Sequence, residues 1–152
     1  MSSHVTAQVR TLATLLKAPV LPEATGGNLD ELVDPYWTLV VYFNSLRELG
    51  RASTLVQAEI REYLNAVCDR TGIPLARESF KGIELRRFIN NFDEITSRMR
   101  SSEIPALQRK LFTAKPSRDV VDLCYATNMI QVGLDVPRLS LMSIVGQPKS
   151  AS

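Results

Sequence analysis

Short polar side chains follow three segments of this sequence that are predicted to be strands, and these side chains are the first candidates for chemistry. Hydroxyl and amide groups, together with free backbone N–H groups at a helix N-terminus, can bind phosphate without reading a base sequence. Each segment considered alone is more typical of turn and capping residues, but the three together favour a phosphate-contacting site. The candidates are Asn44 and Ser45, then Thr96, Ser97 and Arg98, and finally Thr127 and Asn128.

Two further candidates, Gly133 and Asp135, follow the last of these segments. A glycine allows the backbone to approach a ligand closely, and a carboxylate can accept hydrogen bonds from ribose hydroxyls. The pair therefore favours a nucleotide contact.

Several common catalytic and metal sites are missing from the sequence. There is no GxxxxGK(S/T) or GxGxxG phosphate loop, and His4 is the one histidine. Cys68 and Cys124 are 56 positions apart and belong to no CxxC pair, so they are predicted to be two reduced thiols. Because histidine and cysteine clusters are absent, a zinc or iron centre is not expected. The chain does not resemble a complete enzyme, and no residue in it is assigned a catalytic role.

The elements that must position the candidates alternate between helix and strand in the first half of the chain. Residues 3–17 have apolar residues at helical spacing, and Pro22–Pro35 is predicted to be a loop. The run from Trp37 to Phe43 is uncharged and rich in β-branched and aromatic residues, which is typical of a strand covered on both faces. A helix is expected from Leu46 to about Gly72, with Gly50 interrupting it near its start.

The second half continues the alternation. Phe92–Arg98 is predicted to be a strand with a polar exit, and a helix with Pro105 in its first turn follows a cap at Ser101 or Ser102. Asp119–Tyr125 and Leu139–Val145 are the remaining predicted strands. Residues 75–91 fit either a helix or a strand. The alternation predicts an α/β fold with a mainly parallel sheet, in which the polar exits would share the carboxyl edge.

Composition and charge place fewer constraints on function. The chain has 152 residues with a net charge of +2 and 45% hydrophobic residues, as expected of one globular domain. Residues 77–118 contain ten basic and five acidic residues, a pattern that fits either a solvated face or a phosphate-contacting surface. No apolar run approaches the ~20 residues that span a bilayer, so a cytoplasmic protein without membrane contact is expected.

Three of these segments resemble conserved motifs of superfamily 2 helicases. Asp122–Leu139, followed by Met142–Pro148, is similar to motif V and the next strand of that family. Thr38–Phe43 with the polar pair after it resembles motif IV, and Glu94–Arg98 resembles the motif between them. Residues 35–50 are also similar to large bacterial helicase-like proteins, including those of phage-defence systems. The resemblance covers about residues 35–148.

The resemblance implies a second RecA-like domain, a three-layer P-loop NTPase-type fold that forms one wall of an ATP cleft and half of a nucleic-acid track. Residues 1–34 would be an N-terminal helix and linker, and 35–152 the RecA-like domain, incomplete at its C-terminus. Thr127 would contact the phosphate backbone, with Asn128 beside it, and Gly133 and Asp135 would contact nucleotide. Five residues would line the strand track: Asn44, Ser45, Thr96, Ser97 and Arg98. Val132 stands where many family members have arginine, which puts a cation contact there in doubt.

The same resemblance implies partners and cofactors in a larger parent protein. These are a first RecA-like domain, nucleic acid (DNA more than RNA), ATP and magnesium. The parent would couple ATP hydrolysis to unwinding or translocation, whereas this chain, lacking the P-loop and the motif VI arginines, is expected to be inactive alone. Two alternatives stay open: a non-catalytic helicase-derived interaction or regulatory module, and an unrelated small-ligand-binding α/β domain.

Overall fold

The computed structural model describes residues 3–20, 29–70, 79–80, 83–84, 87–127 and 135–146. Within these ranges the chain forms five α-helices and six strands, with a 3-10 turn at Ala18–Val20 and a π-helical turn at Val56–Ile60. The helices are α1 (Ser3–Lys17), α2 (Leu29–Trp37), α3 (Leu46–Leu55), α4 (Arg61–Arg70) and α5 (Ile104–Phe112). The strands are β1 (Leu39–Phe43), β2 (Ser79–Phe80), β3 (Ile83–Glu84), β4 (Phe92–Ile95), β5 (Leu123–Ala126) and β6 (Leu141–Val145).

Four of the strands form one parallel sheet in the order β4-β5-β1-β6. The two central strands, β1 and β5, are apolar and almost wholly buried, which suits strands covered by helices on both faces. Strands β2 and β3 pair separately and antiparallel. The predicted α/β fold with a parallel sheet is confirmed.

Helices cover the two faces of this sheet unequally. Alternate residues such as Leu39, Val41 and Tyr125 pack in one core with α1, α3 and α4. The intervening residues, such as Cys124 and Ala126, pack in a second core against α5. The result is a helix–sheet–helix sandwich consistent with a RecA-like three-layer fold. No helix within the described ranges combines the length and apolarity needed to cross a membrane.

The predicted helix at residues 3–17 is confirmed as α1, but the predicted loop at Pro22–Pro35 is wrong for its second half. Residues 29–37 form α2, which includes Pro35. A proline inside a helix removes one hydrogen bond, and here tertiary contacts offset that loss. Trp37 at the helix end is buried, and the Asp34 carboxylate accepts hydrogen bonds from Arg138. Trp37 therefore ends a helix and does not begin the strand.

Gly50 does not interrupt the long helical segment as predicted. It lies inside α3 and is exposed, with no atom within 4 Å of the place that a Cβ would occupy, and α3 continues past it. The irregularity lies further on, in the π-helical turn, which buries both Val56 and Ile60 in the first core. Core packing therefore decides where this segment departs from α-geometry, because one exposed glycine costs only about 1 kcal/mol.

Smaller differences concern element ends. Strand β4 stops at Ile95, short of the predicted Arg98. The residue at the N-cap of α5 is Glu103, whose side chain makes no cap bond, so neither Ser101 nor Ser102 caps the helix; Pro105 does lie in its first turn. Helix α4 ends at Arg70, and Gly72 lies outside the described residues.

A buried charge network ties the strand starts together at the amino edge of the sheet. Asp122, directly before β5, accepts hydrogen bonds at Oδ1 from Trp37 Nε1 (2.9 Å) and Arg87 Nη1 (2.7 Å). Its Oδ2 accepts from the backbone N–H groups of Asn90 (2.8 Å) and Asn91 (2.9 Å). The Arg87 guanidinium also lies 3.7 Å from the centroid of the Trp37 ring and donates to the carbonyl oxygen of Leu16. This network fixes the entries of β1, β4 and β5.

A second arginine holds the entry to β6. Arg138 Nη2 lies 2.7 Å from Asp34 Oδ1, and Arg138 Nη1 donates to Thr38 Oγ1 and to the carbonyl oxygen of Leu111. Burial by itself raises the pKa of Asp34, but hydrogen bonds from Arg138 and the Lys115 backbone, with the two positive charges, bring it below its usual value. The amino edge is thus built from polar groups that satisfy one another.

Candidate nucleic-acid interface

The parallel register places the three predicted polar exits at one edge of the sheet. Ala126, the last residue of β5, pairs with Tyr42 of β1 and with Ile95 of β4. Phe43 of β1 pairs with Val145 of β6. The residues that follow these strand ends, among them Asn44, Thr96, Thr127 and Gly146, therefore all emerge at the carboxyl edge. Asn128 lies outside the described residues.

Ser45 begins helix α3 at this edge. Its backbone is extended (φ −148°, ψ 154°), and its Oγ accepts a hydrogen bond from the Glu48 backbone N–H at 3.2 Å. This is the geometry of a helix N-cap, so the turn-and-cap interpretation of Ser45 holds. A hydroxyl has one donor and two acceptor sites, so Ser45 can still donate its proton to a phosphate oxygen.

Thr127 places an unsatisfied hydroxyl at the exit of β5. Its backbone N–H donates to the Ile95 carbonyl oxygen at 3.1 Å, which extends the ladder between β4 and β5 by one bond. Its Oγ1 is buried and has no hydrogen-bond partner within the described ranges. Buried polar atoms are usually bonded, so the Thr127 hydroxyl is a candidate for a partner outside the described ranges, a ligand among them.

Thr96 and Arg98 line a groove of about 390 Å³ between β4, the turn after it, and α5. Thr96 uses its carbonyl oxygen to accept from the Met99 N–H, which closes the turn. Ser97 and Arg98 are exposed in that turn, and the Arg98 guanidinium makes no ion pair with any described residue. Arg98 is therefore available to an anion.

The same groove also carries three carboxylates, which limits where an anion can lie. Asp93 is paired with Lys110 Nζ at 3.1 Å, and Glu103 Oε2 accepts from the Arg100 backbone N–H. Glu94 accepts a short hydrogen bond from the Ser53 hydroxyl. Lys110 offsets the charge of Asp93 alone, because Glu94 and Glu103 bond to neutral groups. A phosphate would therefore be favoured only at the Arg98 end of the groove.

Five of the described basic residues between positions 77 and 118 do not share one surface. Arg87 is buried in the amino-edge network, Lys110 pairs with Asp93, and Lys115 Nζ lies 4.0 Å from the centroid of the Trp37 ring. Arg98 and Arg118 are exposed but follow opposite edges of the sheet, since Arg98 comes after β4 and Arg118 comes before β5. These five residues therefore do not form a continuous phosphate-binding face.

Sequence reasoning missed Arg47, which lies in the first turn of α3 at the carboxyl edge. It is exposed and makes no ion pair within the described part of the chain. A cation in the first turn opposes the helix dipole, so Arg47 does not stabilise α3. Its adjacency to the polar pair Asn44 and Ser45 was visible in the sequence, and the helix start at Leu46 makes it a candidate anion contact.

Strand β5 offers no group that titrates near neutral pH. Burial first, and the negative charges of Asp93 and Glu94 second, raise the pKa of Cys124 to about 12. Burial and Glu94 likewise raise the pKa of Tyr125, whose ring packs edge-on against Phe43. The edge can therefore bind and orient a ligand through hydrogen bonds, but β5 supplies no general acid or base.

Of the two predicted nucleotide contacts, the structure describes Asp135 alone. Gly133 lies outside the described residues. Asp135 is exposed, and among the described contacts none joins it to Asn44, Thr96 or Thr127. Within the ranges that the structure covers, no three His, Cys, Asp or Glu side chains are grouped as metal ligands would be.

The chain is homologous to a segment of a much longer protein. It is 40% identical over 124 residues to the DISARM protein DrmA of Bacillus paralicheniformis, a match that covers 82% of this chain and 10% of the relative. The chain thus spans about a tenth of that relative's length. No protein-family model matches the sequence.

Proposed function

We propose that this chain is a nucleic-acid-contacting lobe of a phage-defence protein related to DrmA, and that its carboxyl edge binds the phosphate backbone of a single strand. The observation that carries the proposal is the parallel register, which aligns Asn44, Thr96 and Thr127 at one edge. Homology to the DISARM protein DrmA supports the defence role.

The chemistry of the edge suits a sequence-independent contact. The Thr127 hydroxyl and the capped start of α3 offer neutral donors, and Arg98 and Arg47 offer charge at two positions along the edge. Backbone-directed contacts of this kind fix a strand in place without selecting bases. DNA is the preferred strand, following the helicase resemblance.

In a longer protein we expect this lobe to face a first RecA-like domain, with ATP and magnesium held between them and with Gly133 and Asp135 on this side. The nucleotide supplies the free energy of domain closure when bound. This chain's own part is to hold the strand. The isolated chain should show no ATPase activity, and turnover by a pure sample that is abolished by Asp135→Ala would contradict this division of roles.

Binding is tested by fluorescence anisotropy of a labelled oligothymidine at low salt. We expect weak binding that falls steeply as salt rises, because cations on the protein displace counterions from the strand. Thr127→Val removes the hydroxyl at nearly constant shape and should weaken binding, and Arg98→Ala should also reduce the salt slope by about 1.

Matched controls lie away from the edge. Arg118→Ala removes an exposed arginine before β5, and Thr54→Val removes an exposed hydroxyl whose Oγ1 donates to the Arg51 carbonyl within α3. Neither control should change affinity by more than about twofold. Equal losses in test and control variants would indicate non-specific attraction, and salt-independent binding would refute the backbone contact.

A further inference from the structure

Gly146, the residue that follows β6, adopts a backbone conformation and a contact that no other residue type fits well. Its φ is 90°, in the left-handed region that L-residues rarely adopt. A Cβ built on Gly146 would lie 2.7 Å from Asn44 Nδ2 and 3.8 Å from Asn44 Cγ. Real carbon–nitrogen contacts are not this close, so the Asn44 carboxamide occupies the space of the missing side chain.

The register explains why these two residues meet. Phe43 and Val145 are paired across β1 and β6, so Asn44 and Gly146 are the next residues along each strand. The Asn44 side chain therefore extends across the strand ends at the carboxyl edge. Gly50 provides a contrast, because a Cβ there would meet nothing within 4 Å.

We propose that Gly146 is a positioning residue for Asn44: its missing side chain leaves the space in which the Asn44 carboxamide is held across the ends of β1 and β6, ready to contact a phosphate. The role of Asn44 toward phosphate rests on the proposed function, whereas the contact itself does not. A side chain already held in its binding geometry loses less freedom when the ligand arrives.

The contact is tested first without any ligand, by a double-mutant cycle in urea unfolding. Gly146→Ala introduces backbone strain and the collision together. Asn44→Ser shortens the colliding side chain and leaves the strain unchanged. Gly146→Ala should lower the folding equilibrium constant by one factor in the unchanged chain and by a smaller factor in the Asn44→Ser variant. We expect these two factors to differ by about twofold or more. An identical reduction in both backgrounds would overturn the inference.

The positioning role is tested next by oligothymidine anisotropy at low salt. Asn44→Ser and Gly146→Ala should each weaken binding about three- to tenfold, the loss expected for one misplaced hydrogen bond. The double variant should bind no more weakly than Asn44→Ser, because Gly146 acts through Asn44. Gly50→Ala, the matched glycine replacement, should bind like the unchanged chain.

The outcomes separate the two proposals. If Asn44→Ser weakens binding and Gly146→Ala does not, Gly146 has no positioning role, but the proposed function stands. If neither variant changes the binding, Asn44 is not a phosphate contact and the positioning role is refuted as well. If the unchanged chain does not bind the oligonucleotide, the proposed function fails and the positioning role fails with it, even where the unfolding cycle shows coupling.

Discussion

Replacing Asp122 with asparagine should destabilise the fold more than any exposed charge change. Asp122 is 3% exposed and accepts four hydrogen bonds, two at each carboxylate oxygen. Asparagine keeps one acceptor oxygen and turns the other into a donor. Two of the four donors then lose their acceptor, and the buried Arg87 guanidinium loses its counter-charge. Breaking a buried ion pair from one side costs about 3–5 kcal/mol.

That loss is large compared with the whole stability of a domain, about 5–15 kcal/mol. Urea unfolding followed by circular dichroism measures it directly. Asp93→Asn is the matched control, because Asp93 pairs with Lys110 at a site where the lysine side chain is 60% exposed. The control should cost less than about 1 kcal/mol. An Asp122→Asn loss as small as that of the control would refute the account of the amino edge.

A double-mutant cycle separates the Arg87–Asp122 pair from the rest of the network. Arg87→Met alone leaves the carboxylate without its cation and the Leu16 carbonyl oxygen without its donor. The double variant, Arg87→Met with Asp122→Asn, should lose less free energy of unfolding than the two single variants lose together. We expect this difference to be about 1–3 kcal/mol, since contacting residues are coupled. Strict additivity would show that the 2.7 Å contact contributes nothing.

Three further predictions concern other parts of the molecule. The pKa of Asp34 is lowered in the folded state, so the stability that Asp34 contributes is present above its unfolded pKa and is lost as the pH falls through its folded pKa. Asp34→Asn should therefore flatten the fall in unfolding free energy below about pH 5, measured by urea titration at a series of pH values. An unchanged profile would exclude the Arg138 pairing as the cause of that fall. Cys124, with a pKa near 12 and full burial, should react with a thiol reagent only after unfolding, and rapid labelling of the native chain would contradict that burial. Ile144 is 57% exposed on β6, beside Met142, which is 49% exposed. Ile144→Thr should therefore change the free energy of unfolding by less than about 0.5 kcal/mol and should slow aggregation, measured by light scattering. A larger loss of stability would show that the Ile144 side chain is covered.

The strand exits were predictable because they depend on local sequence. An uncharged, β-branched run can bury itself only in a covered strand, and the polar pair Asn44 and Ser45 marks its end. The parallel arrangement then follows from alternating helices and strands. Thr96 and Thr127 were identified as the polar residues at the ends of two other predicted strands, and the register of β4, β5 and β1 confirms that all of these exits share one edge.

The errors occurred where distant residues outweigh local preference. Pro35 favours a loop by itself, yet Asp34 bonds to Arg138, which lies 104 positions later, and the helix persists. Arg87 and Lys115 raise the local positive charge in the sequence, but burial beside Trp37 and stacking on its ring remove both from the open surface. A sum of charges along the chain cannot anticipate this, because it ignores pairing.

The sequence by itself determined the fold class and the residue types at the carboxyl edge, since each depends on hydrophobic periodicity and turn chemistry within a few residues. The tertiary structure alone decided which polar groups are already satisfied. It placed four donors on Asp122, left the Thr127 hydroxyl without a described partner, and set Gly146 against Asn44. The physical reason is that a hydrogen bond or a close contact between strands depends on register, and register is fixed only when the whole sheet is assembled.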